Sequence, residues 1–203
     1  MPIPYRQEVY RKMIHLSSLW MAAAMYFLPF QWAALIFMLL AAADVLLEYG
    51  NFRKWPVIHP LYKIFFGRML RNSAGKGCFE LSGGPYVLAA AFLSVLCFKP
   101  PVAICAFTVM LIGDTAAALV GRKFGKIKFA NGKSLEGALA FIAASVIVLV
   151  VCGCIFTYPS SLYMKGCIGI VMAAAAELYE KKLHIDDNFS IPLLVGAVMS
   201  LPW

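Results

Sequence analysis

The feature that most constrains this chain is its succession of apolar runs of the length that membrane helices need. A transmembrane helix takes roughly 20 predominantly apolar residues, and 62% of the 203 residues are hydrophobic while 14% are charged. Seven runs are candidates, at about 13–28, 31–48, 81–98, 102–120, 135–156, 161–178 and 189–203. The pattern predicts an all-α integral membrane protein of about seven transmembrane helices, folded as a single membrane-embedded domain over 1–203.

The basic residues predict an orientation in the membrane. Cytoplasmic loops carry an excess of Lys and Arg. With the N-terminus inside and seven crossings, sixteen of the 18 basic residues lie on the inner side, and only Lys99 and Lys165 lie outside. We therefore expect a multi-pass protein with a cytoplasmic N-terminus. The same rule accounts for the net charge of +8 without a nucleic-acid partner.

The acidic residues point to the same face. All ten fall on the predicted inner side or in the inner half of a helix, although acidic residues contribute little to topology. The outer connections are short and nearly uncharged. A transporter would instead place charges near the membrane midplane and serve both faces. We therefore expect chemistry at the cytoplasmic face, in a membrane-embedded catalytic domain.

Segment 57–76 is apolar and basic, and it is too charged to span. Leu61 and Ile64 alternate with Lys63, Arg68 and Arg71 in a pattern typical of an amphipathic helix that lies in the membrane interface. Such a helix anchors the chain to the surface or gates a lipid that enters from the bilayer.

Charge is concentrated in the stretch 113–137, which reads GDTAAALVGRKFGKIKFANGKSLEG. Asp114 stands inside an apolar run, about 12 Å from Arg122 along a helix, and an unpaired carboxylate there would be costly. It is either a structural partner of a lysine from another helix or a ligand of Mg²⁺, which prefers carboxylates together with phosphate oxygens. The neighbouring residues favour Mg²⁺.

Those neighbours form a candidate phosphate-binding loop. Arginine can bind phosphate through two parallel hydrogen bonds and lysine acts as a point charge, while glycines let backbone N–H groups approach an anion. Ser134 is placed to cap the next helix, whose N-terminus favours phosphate and the carboxylate of Glu136. The nucleotide-binding candidates are Gly121, Arg122, Gly125, Lys126, Lys133 and Ser134.

Further candidates lie at the inner ends of other helices. Asp187 is a second candidate metal ligand, beside the helix-capping candidate Asp186. Glu177 could orient a ligand or act as a general base, or pair with Lys181 four residues on. His15 could be a base, a phosphate contact or a packed interfacial histidine. Asp44 and Glu48 are four residues apart and share a face, where they could bind a cation, act in catalysis or pair with Arg53.

The stretch GDTAAALVGRKFGK followed by KSLEG resembles the family of CTP-dependent lipid-alcohol kinases, which contains dolichol kinase, phytol kinase and the yeast-type diacylglycerol kinase. It is more distantly similar to phosphatidate cytidylyltransferase. The resemblance is strong over 113–137 and extends weakly to Arg11-Lys12-x-x-His15, to Glu177 and to the segment 187–192. It implies nucleotide-phosphate and metal binding at the positions of Asp114, Arg122, Lys126, Lys133 and Glu136.

The late part of the chain separates the two activities. Cytidylyltransferases carry a glycine-rich PGHGG signature followed by Asp and Arg, whereas this chain reads HIDDNFSIPLLVG. The prediction is a Mg²⁺-dependent membrane kinase that transfers the γ-phosphate of CTP to a lipid hydroxyl of the polyprenol, phytol or diacylglycerol type. A CDP-lipid-forming cytidylyltransferase and a non-enzymatic transporter are the alternatives. Asp114, Glu136, Glu177 and His15 are the candidate catalytic residues, and the sequence leaves open whether the chain forms a homodimer.

Overall fold

The computed structural model describes residues 5–66, 81–129, 132–183 and 186–202. The regular elements in these ranges are all α-helices. The helices are α1 Tyr5–Ser17, α2 Leu19–Phe27, α3 Phe30–Phe52, α4 Ile58–Phe66, α5 Gly83–Cys97, α6 Pro100–Phe124, α7 Leu135–Phe156, α8 Ser160–Leu183 and α9 Asp187–Met199. The predicted all-α class is confirmed.

Four of these helices are long and apolar enough to cross a membrane. They are α3, α6, α7 and the part Ser160–Leu178 of α8. Helices α5 and α9 are apolar but have only 15 and 13 residues. A 15-residue helix is about 22 Å long, which is less than the hydrocarbon thickness of roughly 30 Å. Seven crossings and the cytoplasmic N-terminus therefore stay predictions.

The first apolar run, predicted as one helix over 13–28, is divided at Ser18. The hydroxyl of Ser17 donates a hydrogen bond to the carbonyl of Ile14 at 2.6 Å. Serine hydroxyls that bond backward along a helix compete with its backbone pattern. The result is a charged α1 followed by a nine-residue apolar α2. Both pack against α6.

Helix α6 is the centre of the bundle. It contacts α1, α2, α5, α7 and α9, and most of its apolar residues are buried. Gly113 permits the close approach of α7, because a Cβ at this position would lie 2.6 Å from Ser145 Oγ and 2.8 Å from the ring of Phe141. The most buried helix of the fold is thus the one that carries Asp114.

Helix α3 pairs with α5, and α4 lies against the end of α3. Glu48 in the last two turns of α3 accepts a hydrogen bond from the backbone N–H of Ser82, which caps α5. The C-terminal end of α3 and the N-terminal end of α5 therefore lie at the same end of the bundle. Helix α4 falls within the predicted interfacial segment 57–76, whose part 67–76 lies outside the described residues.

Candidate functional site

Three helices bring three carboxylates together. Asp114 comes from the buried middle of α6, Glu177 from α8, and Asp187 from the first turn of α9. One carboxylate oxygen of each lies within 4.8 Å of the others. Asp114 and Glu177 are buried, with 5% and 6% of their surface exposed. Carboxylates this close repel one another unless cations neutralise them.

Two lysines supply neutralising charge in this structure. Lys133, in the loop before α7, places Nζ 3.2 Å from Glu177 Oε1 and 3.3 Å from Asp187 Oδ2. Lys12 of α1 donates a hydrogen bond to Asp114 Oδ2. Lys12 is itself buried, and a buried lysine is rare unless it is paired. The site is therefore a compact network of opposite charges in the protein interior.

His15 lies one turn along α1 from Lys12 and faces the same carboxylate. Its Nε2 is 3.4 Å from Asp114 Oδ2. Burial is the main cause that lowers the pKa of His15 to about 4, and the carboxylate of Asp114 only partly opposes it. The imidazole is therefore neutral at pH 7, so it has one nitrogen able to accept a proton.

Arg122 makes an ion pair at the end of α6. Its Nη2 lies 3.1 Å from Oε2 of Glu8, and Arg11 Nη1 lies 3.3 Å from the same oxygen. Glu8 is buried, with 4% of its surface exposed. This pairing fixes α1 against the end of α6 and holds the guanidinium of the predicted phosphate ligand in place.

The loop between α6 and α7 is folded back on the N-terminus of α7. Glu136 Oε1 accepts hydrogen bonds from the backbone N–H of Lys126 at 2.9 Å and of Ile127 at 3.3 Å. Glu136 is not part of the carboxylate group around Asp114. In the described residues it organises the loop, and its predicted direct role in catalysis stays a prediction.

Small residues pack the junction of α6 and α7. Ser134 accepts a hydrogen bond from the backbone N–H of Gly137 at 3.1 Å, which confirms the predicted helix cap. A Cβ at Gly125 would lie 2.7 Å from Ser134 Cβ, and one at Gly121 would lie 3.3 Å from Gly137 Cα. Close packing thus explains Gly121 and Gly125 in this structure, and their contact with a nucleotide stays a prediction.

Three known proteins resemble this chain over most of its length. An uncharacterized protein of Rickettsia prowazekii is 30% identical over 191 residues, which cover 92% of this chain and 90% of that protein. Phytol kinase of Synechocystis sp. is 30% identical over 190 residues, which cover 92% and 76%. CTP-dependent diacylglycerol kinase 1 of Saccharomyces cerevisiae is 26% identical over 219 residues, which cover 96% and 73%.

The chain belongs to this family of CTP-dependent lipid kinases. The predicted resemblance is therefore confirmed, and with it the general class of a membrane lipid kinase. No family model matches the chain, and no solved structure matches it.

The oxygen-only donor set of this lipid-kinase family member fits a hard divalent cation. Asp114 and Asp187 were the predicted metal ligands, and the structure places Glu177 beside them. Mg²⁺ prefers oxygen ligands and is commonly bound by one or two carboxylates together with substrate phosphates.

Two residues of the site, Lys12 and Glu8, were missed as functional candidates. The sequence pattern counts Lys12 as one more basic residue on the inner side. Glu8 and Lys12 are four residues apart, and His15 follows three residues later, so the three share a helix face. This shared face could have identified Glu8 and Lys12 from the sequence, because a charged stripe on a helix next to apolar runs predicts a polar partner within the bundle.

A second polar cluster lies where α3, α4 and α5 meet. Glu48 accepts hydrogen bonds from the N–H and the hydroxyl of Ser82, so Ser82 rather than Arg53 is the partner seen for this carboxylate. Tyr62 of α4 also bonds to Glu48. Burial, aided by the nearby carboxylates, raises the pKa of Tyr62 to about 12, which keeps the phenol protonated as a donor.

Proposed function

We propose that this chain transfers the γ-phosphoryl group of CTP to the hydroxyl of a lipid alcohol at the cytoplasmic face of a membrane. The observation that carries the proposal is the meeting of Asp114, Glu177 and Asp187 around Lys133. Family membership supports the nucleotide and the acceptor, because relatives are named for CTP, diacylglycerol and phytol. The acceptor is of the polyprenol, phytol or diacylglycerol type.

The reaction exchanges one phosphorus–oxygen bond for another. The hydroxyl oxygen of the lipid bonds to the γ-phosphorus while the bond from that phosphorus to the β–γ bridging oxygen breaks. CDP and the lipid phosphate are the products. The hydroxyl proton passes to a carboxylate of the cluster or to His15. Phosphoryl transfer depends mainly on positioning and on neutralising charge.

Asp114, Glu177 and Asp187 are the residues that would hold Mg²⁺ in this kinase. When bound, the ion supplies positive charge to the phosphate oxygens of the nucleotide. Lys133, which contacts Glu177 and Asp187 in this structure, would be placed to bind a phosphate oxygen of that nucleotide.

The end of α6 and the loop after it form the proposed nucleotide side of the site. Arg122, held by Glu8, offers a guanidinium that binds phosphate in a bidentate manner. Lys126 is exposed beyond it and adds a second positive charge. The Ser134 cap and Glu136 keep this loop against the N-terminus of α7, whose dipole favours anions.

A two-label assay tests the function. Purified protein is incubated with Mg²⁺ and CTP labelled in either the α- or the γ-phosphate, together with diacylglycerol, a polyprenol or phytol. We expect γ-label in the lipid and no α-label. Transfer of α-label with release of pyrophosphate would assign a cytidylyltransferase instead. Absence of any label in all three lipids would contradict enzymatic activity on this class of acceptor and favour a transporter.

A further inference from the structure

A groove with apolar walls lies between α3, α5 and the start of α9. Helix α3 contributes Ala42, Val45 and Leu46, and α5 contributes Tyr86 and Ala89. The volume of the groove is about 740 Å³, within the range of roughly 300–1,000 Å³ typical of ligand pockets. The space stays open because the small side chains of the alanines on α3 and α5 cannot fill the distance between these two helices.

The groove is open along the outer side of α3. Leu46 lines it and is 58% exposed, and Ala42 is exposed as well. Helix α3 is one of the candidate membrane spans. Its exposed apolar face would therefore contact lipid chains, so a hydrocarbon chain could pass from the bilayer into the groove without crossing water.

The start of α9 lines the groove next to a residue of the carboxylate cluster. Asp186 and Phe189 line it there. Asp186 caps α9 and directly precedes Asp187, whose carboxylate is one of the three that meet around Lys133. The groove thus has apolar residues of α3 and α5 along its walls and, at the start of α9, a carboxylate adjacent in sequence to the cluster.

The helix directions set the depth of the groove in the membrane. Glu48 of α3 bonds to Ser82 at the start of α5, so these positions lie at one end of the bundle. Ala42 precedes Glu48 by six residues, which corresponds to about 9 Å along a helix. The groove therefore begins near the surface that carries the site and extends into the adjoining half of the bilayer.

Resting on the proposed function, we infer that this groove holds the hydrocarbon chain of the acceptor lipid, with its hydroxyl at the Asp186 end. An apolar chain matches the walls of α3 and α5, and the polar head matches the charged end. The groove then delivers a membrane-dissolved alcohol to a reactive site without removing its tail from an apolar environment.

Photocrosslinking without nucleotide tests where the chain lies. The probes are a diacylglycerol and an isoprenoid alcohol that each carry a diazirine in the hydrocarbon chain, added to the full-length protein in phospholipid nanodiscs. Mass spectrometry then locates the adduct. We expect adducts on residues 41–46 of α3 and 85–89 of α5. Adducts confined to other helices would overturn the inference. Crosslinks between two copies of the protein at the groove would also overturn it, because a second copy would then occupy the groove.

Two matched pairs of variants separate groove filling from a general effect. Ala42→Trp fills the groove, whereas Ala43→Trp places the same ring on an exposed neighbouring position of α3 outside it. Leu46→Trp and Leu47→Trp form a second pair, since both leucines are exposed and only Leu46 lines the groove. Variants are compared only where their thermal unfolding matches that of the wild type.

The expected result is a loss of crosslinking by roughly tenfold in each groove variant, the loss of affinity expected when about two methylene groups no longer fit. The KM for the lipid should rise by a similar factor while the KM for CTP stays unchanged. Equal crosslinking in the groove variants and their controls would refute the groove. Because crosslinking needs no CTP, the absence of phosphoryl transfer by the wild type would refute the kinase function separately.

Discussion

Lys133 is the residue on which the charge balance of the site depends most directly. Its ammonium contacts Glu177 and Asp187, which come from different helices. If the proposed function is correct, the same ammonium stabilises the phosphate oxygens in the transition state. A group aimed at developing charge contributes far more to rate than to binding of the ground state.

Lys133→Met is therefore expected to lower kcat by about 100-fold or more, in line with the loss of one transition-state donor in other enzymes. The measurement is the initial rate of γ-label transfer from CTP to lipid. Lys123→Met is the matched control, because Lys123 is an exposed lysine near the same loop whose Nζ lies over the ring of Phe124. Equal rates for the two variants would contradict a role of Lys133 in the site.

Sequence reasoning found Asp114, Glu177 and Asp187 as separate candidates, because each is a carboxylate at the inner end of an apolar run. It could not show that the three meet. Glu177 and Asp187 are distant from Asp114 along the chain, and their convergence depends on how α8 and α9 pack against α6. Lys12 belongs to the resembling segment Arg11-Lys12-x-x-His15 but was not a candidate site residue, because topology counts treat every basic residue alike and only the tertiary fold shows which one is buried.

The junction of α6 and α7 is the element that positions the proposed nucleotide side of the site. Gly125 ends α6 where the chain turns back to the cap of α7. A Cβ at this position would lie 2.2 Å from the carbonyl oxygen of Gly121 and 2.7 Å from Ser134 Cβ. Contacts this short require the backbone to move, because neither neighbour is the end of a flexible side chain.

Gly125→Ala should destabilise the protein by about 1–3 kcal/mol, the usual cost of overpacking. For a chain of this size that corresponds to a fall in Tm of roughly 2–4 °C for each kcal/mol. Gly83→Ala is the control, because among the described residues its Cβ would meet only Asn188 Nδ2, at an ordinary 3.6 Å. Thermal unfolding in detergent gives the comparison, and an unchanged Tm for Gly125→Ala would show that the junction is not closely packed.

At the scale of elements, the apolar runs predicted most helices well, including the short α5 within 81–98, and failed at the first run. The predicted run 135–156 coincides with α7, and 102–120 lies within α6. The run 13–28 is divided because a side-chain hydrogen bond of Ser17 competes with the helical backbone. Hydrophobicity carries no information about such a local competition, so a continuous apolar run was expected to be one helix.

At the scale of the whole molecule, we predict that the candidate site faces the cytoplasm. Helix α6 is a candidate span. Lys99 directly precedes its first residue, and Lys126 follows its last residue by two positions. A 25-residue helix is about 37 Å long, which exceeds the hydrocarbon thickness of roughly 30 Å. The two lysines should therefore lie on opposite faces of the membrane.

Single substitutions Lys99→Cys and Lys126→Cys test this orientation with a membrane-impermeant maleimide. In inverted vesicles, which expose the cytoplasmic face, Lys126→Cys should be labelled and Lys99→Cys protected, and right-side-out vesicles should give the reverse. The wild-type protein sets the background from its own cysteines. Labelling of Lys126→Cys from the outer face would invert the orientation, and with it the location of the proposed reaction.

The central claim is that the carboxylates gathered on α6, α8 and α9 form the centre of phosphoryl transfer. Asp187 is the most suitable position for a test, because its side chain is the most exposed of the three carboxylates and the substitution leaves Asp186, the cap of α9, unchanged. Asp114→Asn would leave the buried Lys12 without its partner, and a broken buried ion pair destabilises a fold strongly. Loss of activity in that variant would therefore be harder to assign.

The most direct measurement is the initial rate of γ-label transfer from CTP to lipid by Asp187→Asn, compared with the wild type at equal Tm. We predict a fall in kcat of about 100-fold or more, because one proposed metal ligand and one partner of Lys133 are lost together. A variant that keeps more than half of the wild-type rate would contradict the assignment of this cluster as the site of the reaction.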